Sequence, residues 1–115
     1  MPAATYDMIL DQGSTFSNVI QITDSEETPL NLTGFTARMQ VRPSVSSSTV
    51  LLELTNANSR ITITAAEGKI NLSVDAATTS GLTPGNYVYD LETVNGSVVE
   101  RILQGSFLIR AEVTR

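Results

Sequence analysis

Hydrophobic and polar residues alternate with a period of two along much of this chain, which is the pattern of half-buried β-strands. The clearest run extends from Phe35 to Val41, where odd-numbered residues are apolar and even-numbered residues are polar. Comparable runs are separated by Gly, Pro and Asn turn signals: Thr5–Leu10, Ser14–Thr23, Val50–Leu54, Arg60–Thr64 and Lys69–Val74. About eight short strands with such spacing predict an all-β fold, either a sandwich or a barrel.

The segment 86–109 predicts the hairpin on which the other strands pack. Asn95-Gly96 lies between two apolar-rich runs, and this dipeptide favours a two-residue turn with positive φ. A turn centred there places Asp90 opposite Arg101, and opposite charges across strands favour that register. It also places Val98 and Ile102 on the apolar face of the hairpin with Tyr87, Tyr89 and Leu91.

Beyond Ile102 the alternation changes phase, because Phe107 and Ile109 have the opposite parity. A one-residue bulge near Gln104-Gly105 would return both side chains to the core, and glycine is common at such sites. An unbroken ladder through Gly105 would contradict this hypothesis.

One short interruption of the β pattern is predicted between Asp75 and Gly81. Asp75 is suited to cap a single helical turn, and Gly81 is suited to end it. We find no internal repeat and no linker-like segment in the chain. The length of 115 residues therefore predicts one domain, residues 1–115.

Composition excludes several kinds of chemistry. The net charge of −5 argues against nucleic acid and anionic membranes as partners, because both require a positive surface. The absence of Cys and His excludes nucleophilic triads and zinc sites built on those residues. The N-terminus has neither the basic start nor the apolar core of a signal peptide, so we expect synthesis and assembly in a cytoplasm.

Carboxylates remain as candidate functional groups. Asp24, Glu26 and Glu27 share one loop that could offer oxygens to Ca²⁺, but a solvated acidic turn explains them better. Paired carboxylates for glycoside hydrolysis would meet only in space, and the chain has no Trp and few aromatic residues to build a sugar cleft. No glycine-rich phosphate loop is present. We therefore predict no enzyme activity, no catalytic residues, no cofactor, no metal and no small-molecule substrate.

Two arginines on one strand favour an interface. Arg38 and Arg42 share the polar side of the strand predicted over 35–42, and arginine is enriched where proteins meet. A solvated strand face is the alternative explanation. The Ser-rich segment 44–49 follows directly and could act as a contact loop. The candidate interface residues are Arg38, Arg42, Ser46, Ser47, Arg110 and Arg115.

Several blocks resemble structural proteins of tailed bacteriophages. They are PLNLTGFTARMQVR (29–42), GKINLSVDAATTSGLTPGNYVYDLE (68–92) and the closing GSFLI (105–109) with EVTR (112–115). The same blocks are similar, more distantly, to the immunoglobulin-like N-terminal domain of phage upper-baseplate proteins. The resemblance extends from Tyr6 to Arg115, and it implies an immunoglobulin-like antiparallel β-sandwich without catalysis.

The resemblance implies that the protein is a non-enzymatic component of a virion. The best-supported role is a tail or baseplate part that docks through its edges and loops on a larger assembly. Its expected partners are other virion proteins and copies of itself in a symmetric assembly, without nucleic acid or membrane. A capsid decoration protein is the alternative, and a carbohydrate- or receptor-binding module is a further one. The expected location is the virion.

Overall fold

The computed structural model describes residues 3–24 and 26–114. Its strands are, in chain order, β1 (Ala4–Thr5), β2 (Met8–Asp11), β3 (Phe16–Gln21), β4 (Thr36–Arg42), β5 (Leu52–Thr55), β6 (Ile61–Thr64), β7 (Lys69–Val74), β8 (Gly85–Asn95) and β9 (Val98–Arg110). A 3₁₀ turn (Ala65–Glu67) and a short helix, α1 (Ala76–Ser80), separate some of them. The predicted all-β class is confirmed. Neither helical element in the described ranges has the length and apolarity needed to cross a membrane.

The strands form two sheets that face each other as a sandwich. In the larger sheet the order is β5-β4-β8-β9, with β1 and β2 both on the far side of β9, and in the smaller sheet it is β3-β7-β6. The sandwich prediction is confirmed, but the sheet is not antiparallel throughout. The strands β1 and β2 run parallel to β9. No tight turn joins these partners, which lie at opposite ends of the chain, so the antiparallel geometry of a hairpin is not imposed on them.

The core lies between the inner faces of the two sheets. Phe107 is fully buried at its centre, with its ring centroid 5.7 Å from that of Phe16 and 6.1 Å from that of Tyr89. The strand β4 buries its odd-numbered residues, as its alternation predicts. Tyr6, by contrast, is assigned to the core by its pattern but is 46% exposed.

A kink at Tyr6 and Asp7 explains that difference, because it divides the single predicted strand Thr5–Leu10 into β1 and β2. The Tyr6 N–H donates to the carbonyl of Gln104 (2.9 Å), and the Tyr89 hydroxyl donates to the carbonyl of Tyr6. A Cβ atom on Gly105 would lie 2.5 Å from that same carbonyl oxygen. Glycine is therefore required here by the close approach of the N-terminal backbone.

The predicted bulge at Gln104-Gly105 is wrong. The β8–β9 ladder runs unbroken past Gly105, which pairs with Tyr89. The shift in register occurs instead at Leu91 and Glu92, where Ile102 is the extra residue on β9. Two adjacent apolar residues, Ile102 and Leu103, could each have pointed inward, and the structure buries Leu103.

The predicted register of the hairpin is also wrong, because each β9 residue near the turn pairs with a β8 residue two positions later than expected. Asn95 pairs with Val98, so the central turn residues are Gly96 and Ser97. Only Gly96 has positive φ (60°), which matches the requirement of a type II′ turn and not the predicted type I′. As a result Glu92, not Asp90, lies directly opposite Arg101, and Val98 is 56% exposed.

The helical turn between Asp75 and Gly81 is confirmed. The Asp75 carboxylate accepts a hydrogen bond from the Thr78 N–H (2.8 Å) and so caps α1. The buried Thr79 hydroxyl donates to the carbonyl of Ser14 (2.8 Å) and accepts from the Gly13 N–H (3.1 Å). The helix thus ties the β2–β3 connection, which crosses between the sheets, to the body of the domain.

Candidate interface on the larger sheet

The outward side of β4, β5, β8 and β9 forms a continuous surface, which we call the polar sheet face. Alternation along β4 and β8 places Gln40, Asp90 and Glu92 outward, each between buried neighbours. On β9 the bulge at Ile102 keeps Arg101 and Gln104 on the outward side while Leu103 turns into the core. The residues of the polar sheet face are Arg38, Gln40, Arg42, Glu53, Asp90, Glu92, Arg101 and Gln104.

Charges of both signs are paired across the strands of this face. Arg38 Nε lies 2.8 Å from Glu92 Oε1, and Arg101 Nε lies 3.3 Å from Asp90 Oδ2. Both arginine side chains remain 53% exposed. Exposed pairs of this kind add little stability, about 0–1 kcal/mol each. Their stronger effect is to hold the guanidinium groups in place while leaving one side of each accessible.

Arg42 fixes the loop that follows β4. Its Nη1 donates to the carbonyl of Ser47 (2.7 Å), and its Nη2 donates to Gln40 Oε1 (2.6 Å). Gln40 in turn donates through Nε2 to Glu53 Oε2 (2.7 Å). The Ser-rich segment is thus anchored to the sheet by one guanidinium, and Val45 at its tip is 89% exposed.

A shallow groove of about 630 Å³ lies between this loop and the sheet. Its lining includes Arg42 and Val45 on one side and Asp90, Arg101 and Gln104 on the other. The guanidinium groups of Arg42 and Arg101 are balanced by the carboxylates of Asp90 and Glu92, so the lining has no excess of positive charge to attract an anion. The groove therefore presents charged groups of both signs beside one exposed apolar side chain, Val45.

The candidate residues from the sequence do not all meet. Arg42 contacts Ser47, Ser46 is the neighbour of Ser47 in the same loop, and Arg38 lies four residues before Arg42 on the same side of β4, where it contacts Glu92. Arg110 lies at the opposite edge of the same sheet, where it pairs with Asp11 through two bonds of 2.6 and 3.0 Å. Arg115 lies outside the described residues. Whether any of these residues contacts a partner stays a prediction.

The Asp11–Arg110 ion pair joins the side chains of β2 and β9. The hydrogen bond from Arg110, with a smaller contribution from its charge, holds the pKa of Asp11 below its ordinary value. The same hydrogen bond raises the pKa of Arg110. Both side chains stay about half exposed, at 57% for Arg110 and 51% for Asp11, so the pair joins the two strands at the surface.

Sequence reasoning missed Gln40 and Glu53 as parts of the site. The parity of Gln40 on β4 was available, but its bond to Glu53 depends on the β4–β5 pairing, which places the two residues opposite each other. Val45 was also missed, since no pattern in the Ser-rich segment indicates where an isolated apolar side chain points. Asp90 and Arg101 were paired correctly as partners, although they lie diagonally instead of directly opposite.

The acidic loop proves to be a turn closed by its own carboxylate. Asp24 Oδ1 accepts hydrogen bonds from the N–H groups of Glu26 (2.8 Å) and Thr28 (3.1 Å). Within residues 3–24 and 26–114, no three Asp or Glu side chains come close enough together to hold a metal ion. Burial raises the pKa of Tyr89 far above its usual value, and its hydroxyl is used to hold Tyr6.

Comparison with known proteins identifies the fold. No protein-family model matches the sequence, and no curated protein matches it significantly. Among solved structures, the chain is similar to the N-terminal domain of phage TP901-1 ORF48, with a TM-score of 0.55 and 12% identity over 90% of this chain and 83% of that chain. At this identity the likeness establishes a shared β-sandwich architecture.

Proposed function

We propose that this protein is a non-enzymatic structural component of a bacteriophage virion, in the tail or baseplate. The observation that carries the proposal is the agreement of two independent resemblances. Several blocks between residues 29 and 115 resemble phage structural proteins, and the fold is similar to an N-terminal domain of a phage protein over 90% of this chain. The chain would be held in place by its contacts, and its chemistry would be limited to binding.

The polar sheet face is the surface that we propose for docking on a larger assembly. It presents fixed arginines beside carboxylates, with the exposed Val45 at its rim. Interfaces are enriched in arginine, and an apolar side chain at the border of a groove provides an anchor. Because intramolecular pairs already hold Arg38 and Arg42, little side-chain freedom would be lost on binding.

Three carboxylates and one buried tyrosine have structural roles. Asp24 closes a loop, Asp75 caps a helix, and Asp11 clasps two strands. Tyr89 has a strongly raised pKa but lies in the core with its hydroxyl bonded to the backbone. These assignments support a binding role over an enzymatic one.

A capsid decoration protein remains the second candidate, because the same face could dock on a head surface. A carbohydrate-binding module is less favoured. Sugar platforms use exposed aromatic rings, and in the part of the chain that the structure describes Tyr6 is the aromatic residue classed as exposed.

Antibody labelling of phage particles tests the location. Virions of the phage that encodes this chain would be labelled with gold-coupled antibody and viewed by electron microscopy. Label at the tail tip supports the proposal, and label on the head favours decoration. Absence of label from particles, together with absence of the chain from their protein content, would overturn both. Binding to a glycan array would instead favour the carbohydrate module.

Reversal of charge on the polar sheet face tests the docking surface. In particles assembled with the variant as the sole copy, Arg38→Glu with Arg42→Glu should reduce incorporation at least tenfold, because Arg38→Glu places a carboxylate beside Glu92 and Arg42→Glu removes the bond that holds the loop. Lys69→Glu is the control, since Lys69 lies on the smaller sheet and its side chain is 37% exposed, against 53% for Arg38. Equal incorporation of both variants would exclude this face, provided that their thermal unfolding matches the wild type.

A further inference from the structure

The edge strand β3 turns a row of backbone groups away from the molecule. The Ile22 N–H donates to the carbonyl of Gly68 (2.7 Å), and the β3–β7 register continues this pairing at Ile20 and Ile70. Even-numbered residues therefore direct their backbone groups toward β7. In an antiparallel ladder the intervening residues direct theirs to the other side. Those residues are Ser17, Val19 and Gln21, and all three are exposed.

The β6–β7 pairing gives the same parity independently. The Ser73 N–H donates to the carbonyl of Arg60 (2.8 Å), so the odd-numbered residues of β7 face β6. Its even-numbered residues are then the ones that face β3. Among the described residues, none of the observed hydrogen bonds reaches the outward backbone groups of Ser17, Val19 or Gln21.

The two edges of the larger sheet are protected. On β5 the Glu53 carbonyl accepts from the side chains of Asn58 (2.9 Å) and Arg60 (3.0 Å), and the Thr55 N–H donates to Asn58 Oδ1 (2.9 Å). The edge at β2 carries the charged Asp11 side chain. Charged residues and side-chain caps are the usual means of blocking edge-to-edge pairing.

The strand β3 has none of these devices. Its six residues, FSNVIQ, include neither charge nor proline. The remaining edge, β6, is four residues long and follows Arg60 directly, so it offers a shorter uncharged template. The longest unprotected edge in the described part of the chain is therefore β3.

We propose that β3 pairs with β3 of a second copy of this chain, antiparallel about a two-fold axis at Val19. Residues whose backbone groups point away from β7 must pair with the same residues of the second copy. This places Val19 opposite Val19 and Ser17 opposite Gln21 of the second copy. Three such pairs exchange two hydrogen bonds each, about six in all. The two smaller sheets then become one continuous sheet across the dimer.

The side chains are complementary in this register. On the outer face the two Val19 side chains, each 52% exposed in the monomer, cover each other. On the inner face Asn18 meets Ile20 of the second copy, which adds cover to a residue that is only half-buried at this edge. No charge meets a like charge along the strand, which matters because each copy carries a net charge of −5.

We expect a weak dimer, because one strand pair buries less than the roughly 1,200 Å² of a small specific interface. We therefore take a Kd on the order of 10–100 µM, at the weak end of the affinity scale, as the expected range. Sedimentation equilibrium of the isolated chain up to about 1 mM, ten times the upper limit of that range, should therefore show a monomer–dimer equilibrium. A wild-type chain that stays monomeric over this range overturns the proposal, whether or not the polar sheet face docks on a virion.

Charge at the two-fold axis tests the location of the contact. Val19→Lys places two ammonium groups directly opposite each other and should weaken the dimer at least tenfold. Val98→Lys is the matched control, because Val98 is 56% exposed on the other sheet and should leave the Kd unchanged. An equal Kd for the wild type and Val19→Lys overturns the proposal.

A single cysteine tests the register. The chain contains no Cys, so Val19→Cys introduces the only thiol. Directly opposed residues of a hydrogen-bonded pair have Cα atoms about 5.5 Å apart, which a disulfide can bridge. Mild oxidation should link Val19→Cys at least tenfold faster than Val98→Cys. Equal rates for the two variants would overturn the pairing about Val19.

Discussion

Replacement of Gly105 by alanine should push the backbone at Tyr6 and Asp7 away from β9. The added Cβ would lie 2.5 Å from the backbone oxygen of Tyr6 and 2.9 Å from Asp7 Oδ1. A Cβ contact of 2.5 Å does not occur in folded proteins, and the first of these atoms belongs to the backbone, so a rotamer change cannot relieve it. Gly105 itself does not have positive φ, so the effect is steric and not conformational.

The size of the effect follows from the bonds that the displaced backbone makes. Three are at risk: Tyr6 N–H to the Gln104 carbonyl, the Tyr89 hydroxyl to the Tyr6 carbonyl, and the Ser106 N–H to Asp7 Oδ1. At a net 0.5–1.5 kcal/mol for each bond, loss of all three lowers the free energy of unfolding by about 1.5–4.5 kcal/mol. The Tyr89 hydroxyl lies beside the core, so its loss of a partner should bring the value toward the upper part of that range.

Equilibrium unfolding in urea measures the change, and hydrogen exchange locates it. Relative to the wild type, Gly105→Ala should accelerate hydrogen exchange of the β1 and β2 amides by a larger factor than exchange of the β7 amides. The matched control is Gly81→Ala, because a Cβ there meets nothing closer than 3.7 Å and φ is −90°. We expect that control to be neutral or slightly stabilising, by about 0.4–1 kcal/mol. If Gly105→Ala unfolds within 0.5 kcal/mol of the wild type, the close-approach argument fails.

Two further predictions concern α1. Thr79→Val removes a buried hydroxyl that bonds to both Gly13 and Ser14, and it should lower the free energy of unfolding by about 1–3 kcal/mol in urea titration, whereas the exposed Thr62→Val should change it little; equal effects would refute the role of Thr79. The Thr78 hydroxyl and N–H lower the pKa of Asp75 in the folded state, so the stabilisation is complete above the unfolded-state pKa and is lost as the pH falls through the folded-state value. Asp75→Asn should therefore make thermal stability decline less steeply below about pH 4, and an unchanged acid profile would show that the cap is not coupled to folding.

Features set by neighbours in sequence were predictable. The parity of β4 follows from alternation alone, so the outward positions of Arg38 and Arg42 on the polar sheet face could be predicted before any fold was known. The helical turn after Asp75 is equally local, since its cap needs only an acceptor three residues before Thr78. Such features depend on a few adjacent residues and are insensitive to the topology around them.

Features set by distant partners were not predictable in the same way. Asp90 and Arg101 do form an ion pair, but they are diagonal neighbours and not directly opposite. Opposite charges alone could not distinguish these two registers. The role of Gly105 depends on Tyr6, 99 positions away, and a glycine in a strand is compatible with either a bulge or a close approach. In the candidate site, the link from Arg42 through Gln40 to Glu53 required the order of the strands.

The two proposed contacts lie on opposite sheets, and this arrangement has a consequence for assembly. The polar sheet face belongs to the larger sheet, whereas β3 belongs to the smaller one, so a single copy could dock on a scaffold and pair with a second copy at the same time. A bivalent arrangement of this kind raises the effective concentration at the second contact without new interactions. A dimer too weak to persist in dilute solution would then form once two copies are docked side by side. Because the sites share no residue, the effects of Val19→Lys and Arg42→Glu on unfolding should be additive, while their effects on incorporation should reinforce each other.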